Sequence, residues 1–415
     1  MSSAAHNRIR TVFRHLALPL LAALLLVFSG CSVVETVLDL PETNSADSAE
    51  ADIVIVTDSA AAEPTNSPEP TQSPEESAPP AEDTAAQDAP AETAAPVEVV
   101  SPTTGRPLPE SAVFRPALVV MDNAAQSRPQ TALMLADIVY EFPLDRSDHS
   151  TRFLAIFSDN LPQRIGPVST SRAYLADTAL EWGGLYVSLG DPPSEKGDYP
   201  LLRDSGLPYY AEDYGMAANY FYRDKTISSI EEHTFFFKLL DYVTANFNTV
   251  ITPAENRFAF EQGVVYEKGK SFSSVGIPFT SSDVERVVFT YDQAHNLLLR
   301  SDKNSKNVLV PSNSLTPTDD ILGYQNERIA VQNLIVQYVR VTAFDSTFRS
   351  VNAVGSGDCL YFVNGRVVPG RWSRPSLSEP TTYKIYDGSL LRLEPGTTWI
   401  MMMPSLNEVK IRYTK

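Results

Sequence analysis

The sequence lacks the residue patterns that several classes of protein require. It has only 2 cysteines, and of its 5 histidines only His149, His233 and His295 lie beyond residue 31. None of these has a zinc-type spacing, so we predict no metal and no other cofactor. No glycine period, heptad array or repeated apolar run of membrane-spanning length occurs, which excludes collagen, coiled coils and polytopic membrane proteins.

A basic excess is also lacking. The 415 residues carry 33 Lys and Arg against 51 Asp and Glu, a net charge of −18. Such a chain has no electrostatic footprint for a phosphate backbone, so nucleic acid is not a predicted partner. The acidity is uneven, because residues 32–105 hold 16 acidic side chains and no Lys or Arg.

The first 30 residues are typical of a signal peptide. Arg8, Arg10 and Arg14 precede the apolar run Leu16–Phe28, which is too short to span a bilayer as a helix. Cys31 follows Phe-Ser-Gly, a sequence similar to the lipobox of bacterial lipoproteins. There Cys31 would carry a diacylglycerol thioether that anchors the protein to the membrane from outside the cytoplasm. The alternative is that Cys31 is a small apolar residue beside a secretion signal.

Residues 31–105 are predicted to form a disordered tether behind the lipidated cysteine. The segment consists mainly of Ala, Glu, Asp, Pro, Ser and Thr and has almost no aromatic residues. It cannot bury enough apolar surface to offset a backbone entropy cost of roughly 1–2 kcal/mol per ordered residue. A tether that clears a wall and a passive linker are both consistent with this composition.

Two folded units are predicted after the tether. Residues 106–262 alternate buried strands with helices, which indicates an α/β domain with a mixed sheet. The strands are expected at Ala117–Met121, Arg152–Phe157 and Leu185–Leu189, and the helices at Ser169–Trp182 and His233–Val243. Thr131–Glu141 fits either a helix or the beginning of a strand.

Residues 275–415 are predicted to be mostly β-structure, as a sandwich or a small barrel. The Asn364-Gly365 pair divides two β-prone runs and predicts a hairpin. Cys359 lies in an apolar run and is expected to be a buried strand residue, and Trp372 and Trp399 are expected in the core.

Several motifs in both units resemble those of one family. The sequence is similar to YerB-like bacterial lipoproteins, whose domains have no known function. The resemblance covers roughly residues 110–405 and implies an architecture and a location rather than an activity. The motifs are Arg115–Asn123, Arg128–Leu133 with Ala136–Glu141, Thr151–Phe157, Ile165–Val168 with Ser171-Arg172, Arg223-Asp224, His233, Phe289–Asp292, Val331–Tyr338, Gly355–Gly357, Gly365–Trp372 and Glu394–Ile400.

Two kinds of site fit these residues. Ser169 or Ser171 could serve as a nucleophile with His233 as base and Asp224 as its orienting acid, although no Gly-x-Ser-x-Gly nucleophile elbow is present. A binding cleft is the favoured interpretation, because ligands of α/β sheets bind at carboxyl strand ends and arginine suits carboxylate or phosphate. The predicted ligand-binding residues are Asp122, Asn123, Glu141, Arg152, Arg172, Arg223, Asp224 and His233. The alternative is that these residues cap helices and pair with one another.

The sequence therefore predicts a non-enzymatic, lipid-anchored extracytoplasmic protein. It would bind a cell-envelope component, such as a peptidoglycan component, or an envelope-assembly protein through the α/β domain. A cell-envelope hydrolase using the same cleft is the alternative, and a purely structural spacer is the third. Ser169, Thr170 or Ser171 within about 3.2 Å of His233 would favour the hydrolase, whereas a cleft lined by Arg and Asp without a nucleophile would favour binding.

Overall fold

A computed structural model describes residues 99–144, 151–190, 206–211, 219–226, 228–254, 257–279, 287–304, 308–317, 324–343, 349–405 and 409–413. The predicted signal peptide 1–30, Cys31 and the tether up to residue 98 lie outside the described residues, as does His149. In the described part no helix has the length and apolar character needed to cross a membrane.

The described part contains 24 strands and two α-helices. The helices are α1 (Ala173–Leu180) and α2 (Leu239–Asn246). The strands of the N-terminal part are β1 (Ala117–Asp122), β2 (Gln130–Thr131), β3 (Ile138–Pro143), β4 (Thr151–Phe157), β5 (Leu185–Ser188), β6 (Tyr209–Ala211), β7 (Phe221–Arg223), β8 (Phe235–Phe237) and β9 (Ala259–Phe260).

Fifteen further strands follow in the C-terminal part. They are β10 (Lys270–Ile277), β11 (Val287–Asp292), β12 (Leu297–Lys303), β13 (Leu309–Pro311), β14 (Asn313–Pro317), β15 (Tyr324–Arg328), β16 (Ala330–Val331), β17 (Asn333–Ala343), β18 (Arg349–Asn352), β19 (Gly355–Val363), β20 (Arg366–Arg374), β21 (Thr382–Ile385), β22 (Arg392–Leu393), β23 (Thr398–Pro404) and β24 (Lys410–Tyr413).

A mixed sheet joins the two parts of the chain. Seven of its strands lie in the order β17-β23-β3-β4-β1-β5-β6, and all of them except β4 run in the same direction. The pairing of β23 with β3 sets Thr398 opposite Ile138 and Met401 opposite Glu141. The N-terminal and C-terminal parts therefore share one continuous sheet.

The central strands are apolar on both faces because both faces of the sheet are covered. Val119 and Met121 belong to the core on one face, and Leu118 and Val120 to the core on the other. This alternation follows from the two-residue period of a strand. Helix α1 buries Tyr174, Leu175, Ala176 and Ala179 on the second face, whereas α2 buries Leu239 and Val243 on the first.

The C-terminal part is built mainly of antiparallel strands. The hairpin β19–β20 pairs Val363 with Arg366 across Asn364-Gly365, whose φ angles of 46° and 71° match the turn that this dipeptide favours. The predicted hairpin is confirmed. Cys359 is buried, and its burial raises the pKa of the thiol to about 12. Trp372 and Trp399 are buried core residues, as predicted.

The helical content is lower than the sequence predicts, since strands make up 49% of the structure. The mixed sheet of the N-terminal part is confirmed, but the predicted helix from residue 233 begins only at Leu239. His233 ends a 3₁₀ turn, and the β-prone run Phe235–Phe237 pairs with β7 instead. Thr131–Glu141 forms a short 3₁₀ turn followed by strand β3.

The folded part begins earlier than residue 106. Ser101 and Thr103, which the sequence prediction places in the tether, are fully buried. The Ser101 hydroxyl donates to Asp159 at 2.6 Å, and the Thr103 hydroxyl donates to Asp137 at 2.9 Å. The predicted tether boundary is corrected accordingly. Residues of tether-like composition fold here because their hydroxyls find carboxylates that lie far away in sequence, the buried Asp137 and the partly exposed Asp159.

Candidate functional site

Polar side chains collect where the parallel strands of the mixed sheet end. Asp122 is the last residue of β1, and Glu141 lies near the end of β3. The antiparallel strand β4 begins between them, so that Arg152 lies opposite both Asp122 and Phe142. This carboxyl edge is where open α/β sheets bind ligands.

Asp122 and His233 form the first part of the site. Asp122 Oδ2 lies 2.5 Å from His233 Nδ1, and the Ser127 hydroxyl donates to the same oxygen at 2.7 Å. Burial alone would raise the pKa of Asp122, but the bond to His233, the charge of Arg152 and the other hydrogen bonds hold it at about 2. The bond to Asp122 raises the pKa of His233, which favours an ion pair.

This arrangement differs from a catalytic triad. In a triad the two ring nitrogens of histidine contact different partners, one the acid and the other the nucleophile. Here Nδ1 of His233 faces both Asp122 and the buried Ser127, whose Oγ is 3.1 Å away. His233 Nε2 lies 3.5 Å from Glu232, a surface residue.

The predicted catalytic residues have other partners. The buried Ser171 hydroxyl lies 2.6 Å from the Tyr186 hydroxyl, and the backbone of Ser169 bonds to Val120 and Leu189. Asp224 accepts from Thr226 at 2.6 Å and lies 3.5 Å from Arg164. The acid that orients His233 is thus Asp122 and not Asp224, which corrects the predicted pairing.

Arg152 and Arg172 meet at Thr170. Each guanidinium donates to the Thr170 hydroxyl at 3.1 Å, and Arg152 also donates to the Thr170 carbonyl at 2.8 Å. Arg172 donates to the Ser171 carbonyl at 2.8 Å. Arg152, which is paired with Asp122 across β1 and β4, is close enough to lower the pKa of Asp122, and Arg172 joins it through their shared contact with Thr170.

Asn123 and Glu141 continue the site. The Asn123 amide donates to Thr151 Oγ1 at 2.7 Å, and Thr151 donates to Glu141 at 2.7 Å. Glu141 is fully buried and also accepts from Trp399 Nε1 at 2.9 Å and from Arg300 Nη2 at 2.9 Å. The carboxylate therefore has three donors, as a buried charge requires.

Arg300 and Asp302 extend these contacts into the C-terminal part of the chain. Arg300 Nη1 and the Ser312 hydroxyl each donate to Asp302 at 2.5 Å. Burial alone lowers the pKa of Arg300, but the charges of Asp302 and Glu141 raise it overall. Arg128 lies 3.5 Å from Asp302 and donates to Asn123 at 2.9 Å. Gln130 Nε2 donates at 3.0 Å both to the Asp122 carbonyl and to Asn123 Oδ1. We call the connected set Asp122, Asn123, Arg128, Gln130, Glu141, Thr151, Arg300 and Asp302 the edge network.

A cavity of about 410 Å³ adjoins the edge network. We call it the edge cavity, and its volume lies within the range of small-molecule sites. Three basic residues line it against one acidic residue. The polar lining residues are Arg128, Gln130, Arg300, Asp302, Lys303, Asn304, Ser312, Asn313 and Asn326.

Sequence reasoning missed Arg128, Arg300, Asp302 and Lys303 as site residues. Arg128 lies in one of the quoted motifs, and the charged side chains of Arg300 and Asp302 interrupt an otherwise β-prone run. Charges at buried strand positions are a usable signal, because such residues are seldom buried without a partner. In the described part, no cluster of three or more His, Cys, Asp or Glu could hold a metal ion.

Arg223 and Asp224 form a separate group. Arg223 pairs with Glu231 at 3.4 Å and lies 3.8 Å over the Phe235 ring. These contacts of Arg223 and the contacts of Asp224 agree with the alternative interpretation from the sequence, in which predicted site residues pair with one another. The structure therefore brings together Asp122, Asn123, Glu141, Arg152, Arg172 and His233, and it holds Arg223 and Asp224 in local contacts.

We expect His233→Gln to remove a pH-dependent part of the stability. The raised pKa of His233 means that the folded protein keeps a proton that the unfolded chain releases above its ordinary pKa of 6.5. The stabilisation is therefore complete below pH 6.5 and is lost as the pH rises through the raised pKa. Urea unfolding should show the largest difference from wild type near pH 6 and a smaller difference at high pH.

A matched control is His295→Gln, since His295 also contacts an aspartate but is 73% exposed. This variant should change stability little at any pH. A difference between His233→Gln and wild type that stays constant from pH 6 to pH 9 would show that His233 is not held as a cation.

The fold and site define a class of protein with a mixed sheet and a polar, cationic cavity at its carboxyl edge. Two family models match the chain: the N-terminal domain of a protein of unknown function (DUF3048) over residues 103–250 and the C-terminal domain of the same family over residues 275–400. The chain belongs to this family.

Two relatives support the assignment. The chain is 24% identical over 299 residues to the protein named "Putative lipoprotein YerB" of Bacillus subtilis (strain 168), covering 72% of this chain and 83% of that protein. The crystal structure of YerB protein from Bacillus subtilis matches with a TM-score of 0.60 and 24% identity, over 77% of this chain and all of that one. The structural likeness shows the shared fold.

Proposed function

We propose that this protein is a lipid-anchored extracytoplasmic receptor that binds a cell-envelope component in the edge cavity. The signal peptide 1–30 would direct export, and acylation of Cys31 would hold the protein at the membrane. The name of the Bacillus subtilis relative supports the location. The ligand would be a peptidoglycan component or another envelope molecule, and an envelope-assembly protein is the further candidate.

The observation that carries this proposal is the cationic lining of the edge cavity. Arg300 pairs with Asp302 and with the buried Glu141, and Arg128 faces Asp302, so the three basic groups of the lining and these two acidic groups leave one net positive charge. Lys303, which has no ion-pair partner among the described residues, supplies that charge at the cavity. A protein with an overall charge of −18 that concentrates basic groups around one cavity attracts anions to that place. The rigid edge network behind the cavity keeps it preformed, which reduces the cost of ordering on binding.

A hydrolase has less support than a receptor. The histidine of the site contacts its acid and the nearby serine through the same nitrogen, and that serine is fully buried. Such a group can hold a charge but has no geometry for passing a proton from serine to a leaving group. In the receptor, the ion pair of Asp122 and His233 would instead be a fixed pair of charges that stabilises the strand edge beside the cavity.

The proposal predicts that envelope material is retained through Lys303. The full chain, immobilised in detergent, should retain a component from a fragmented envelope preparation, and Lys303→Glu should reduce that retention by at least about tenfold through charge reversal. Lys384→Glu is the matched control, because Lys384 is exposed on β21 and far from the cavity lining. Quantitative mass spectrometry of the eluates measures both.

Equal retention by wild type and Lys303→Glu would refute the edge cavity as the binding site. Retention of nothing by the wild type would refute the receptor. Turnover of the retained component by the wild type, abolished by Ser127→Ala, would support the hydrolase instead.

A further inference from the structure

The polar groups of the edge cavity fall into two kinds. Arg128 and Lys303 are cationic, and Gln130, Asn304, Asn313 and Asn326 carry primary amides. A cluster of amides can donate to carbonyl oxygens and accept from N–H groups, which is the pattern that a peptide backbone presents. A phosphate diester, which offers acceptors only, would not need both donors and acceptors.

Arg128 is held so that one edge of its guanidinium remains available. Its Nε donates to Asn123 Oδ1 at 2.9 Å and its Nη2 to the Asn123 carbonyl at 2.8 Å. Its Nη1 makes only the 3.5 Å ion pair with Asp302 among the described residues, a distance longer than a normal hydrogen bond. Arg300 and Ser312 both donate to Asp302 Oδ2, and Arg128 Nη1 faces the other oxygen, Oδ1.

Lys303 supplies a second cation at the same cavity. It is the last residue of β12, where its backbone pairs with Leu309 of β13, and its side chain forms no ion pair or hydrogen bond with any residue that the structure describes. Arg300, only 1% exposed, lines the same cavity, and its Nε has no hydrogen-bond partner within the described chain. Lys303 therefore gives the cavity a cation that no described side chain neutralises.

We propose that the edge cavity binds the C-terminal carboxylate of a short peptide. Arg128 Nη1 and the Lys303 ammonium would hold the carboxylate. Gln130 Nε2 already donates to Asp122 and Asn123, so Gln130 Oε1 would accept from a peptide N–H and the Asn326 amide would pair with a further peptide group. Arginine and lysine recognise carboxylates through charge-assisted hydrogen bonds, which are stronger than neutral ones. This inference rests on the proposed receptor function and specifies the chemical class of its ligand.

The test is a calorimetric titration of the full chain in detergent with two probes. One is acetyl-Ala-Ala-Ala with a free C-terminal carboxylate, and the other is the same peptide as its C-terminal amide. The carboxylate should bind at least about tenfold more tightly than the amide, since one charge-assisted contact is lost. Lys303→Gln should weaken the binding of the carboxylate by about tenfold and leave the amide unchanged.

Lys384→Gln serves as the matched control and should bind both peptides as the wild type does. The Lys303 side chain has no polar partner within the described part of the fold, and Lys303→Gln keeps the backbone pairing with Leu309, so the substitution should not disturb folding. An unchanged unfolding midpoint verifies this. Equal binding of the two peptides overturns the inference, and so does binding of neither.

Inorganic phosphate and acetate, added as competitors, separate the anion classes. Acetate should displace the peptide, and phosphate should displace it less effectively. Stronger displacement by phosphate overturns the carboxylate inference.

If neither peptide binds while Lys303→Glu still abolishes the retention of envelope material, the carboxylate inference fails and the receptor function stands. If the wild type retains no envelope material, the receptor function itself fails.

Discussion

Glu141→Ala is expected to destabilise the protein by about 3–5 kcal/mol, the usual consequence of removing one partner from a buried ion pair. The substitution leaves the Arg300 guanidinium without one of its two carboxylates, in a position that is only 1% exposed. It also leaves Trp399 Nε1 without its acceptor. Urea unfolding of the full chain, followed by tryptophan fluorescence, measures the loss.

Two companion variants make this result specific. Glu141→Gln keeps an acceptor for Arg300 and should lose clearly less stability than Glu141→Ala. Glu110→Ala removes an exposed glutamate and should change the unfolding free energy by less than about 0.5 kcal/mol. A loss below about 1 kcal/mol for Glu141→Ala would contradict a central role of the edge network in holding the two parts of the chain together.

The triple variant Ser101→Ala, Thr103→Val, Thr104→Val is expected to lose about 3 kcal/mol or more at neutral pH. The three hydroxyls donate to Asp137 and Asp159, and hydrogen bonds to charged groups contribute about 1.5–3 kcal/mol each when buried. Asp159 is partly exposed, so its two bonds should contribute less than the bond to Asp137. Urea unfolding of the full chain measures the change.

The same variant should be more strongly destabilised at pH 8 than at pH 5. Burial and the charge of Asp159 raise the pKa of Asp137 to about 7, so the folded protein holds a proton there that the unfolded chain releases above 3.8. The stability contributed by this proton is lost as the pH rises through 7, and the ionised Asp137 then depends on its donors. The exposed substitution Thr252→Val is the control and should have no effect at either pH. An unchanged unfolding midpoint in the triple variant would show that residues 101–104 do not stabilise the folded part and belong to the tether.

The strands that the sequence predicts correctly are those whose signals are local. Ala117–Met121, Arg152–Phe157 and Leu185–Leu189 are apolar runs, and all three lie in strands of the sheet core. The Asn364-Gly365 turn requires a positive φ at both residues, which is encoded in the dipeptide itself. The sequence places residues 235–237 in a helix, but in the structure they form a strand that pairs with β7, a partner that helical spacing does not report.

The pairing of distant segments could not be predicted in the same way. Strands β3 and β23 pair although Trp399 and Glu141, which meet there, are 258 positions apart. Arg300 reaches Glu141 across 159 positions. Hydrophobic periodicity indicates which face of a strand is buried, but it does not indicate which strand lies beside it. A sheet formed by both parts of the chain therefore cannot be predicted from periodicity.

Some residues of the candidate site can likewise be predicted from local sequence, and others cannot. Asp122, Asn123 and Glu141 could be found because polar residues that end apolar runs indicate a strand edge. The partner of His233 could not be found in this way. Asp122 and Asp224 are both aspartates in the quoted motifs, and only the fold shows that Asp122 lies 2.5 Å from His233. Arg128 and Lys303 are recognised as site residues only because both line the edge cavity, which residues of the C-terminal strands complete.

Hydrogen–deuterium exchange of the full chain tests the central claim most directly, because it locates a bound ligand without assuming its identity. A second cavity of about 490 Å³, lined among others by Arg340, Asp358 and Trp372, is the natural competitor. When soluble peptides released from the envelope are added, residues 125–130, 300–304 and 310–313 should become protected, while residues 352–358 keep their exchange rates. Protection of residues 352–358 alone, with the segments around Arg128 and Lys303 unaffected, would contradict the account.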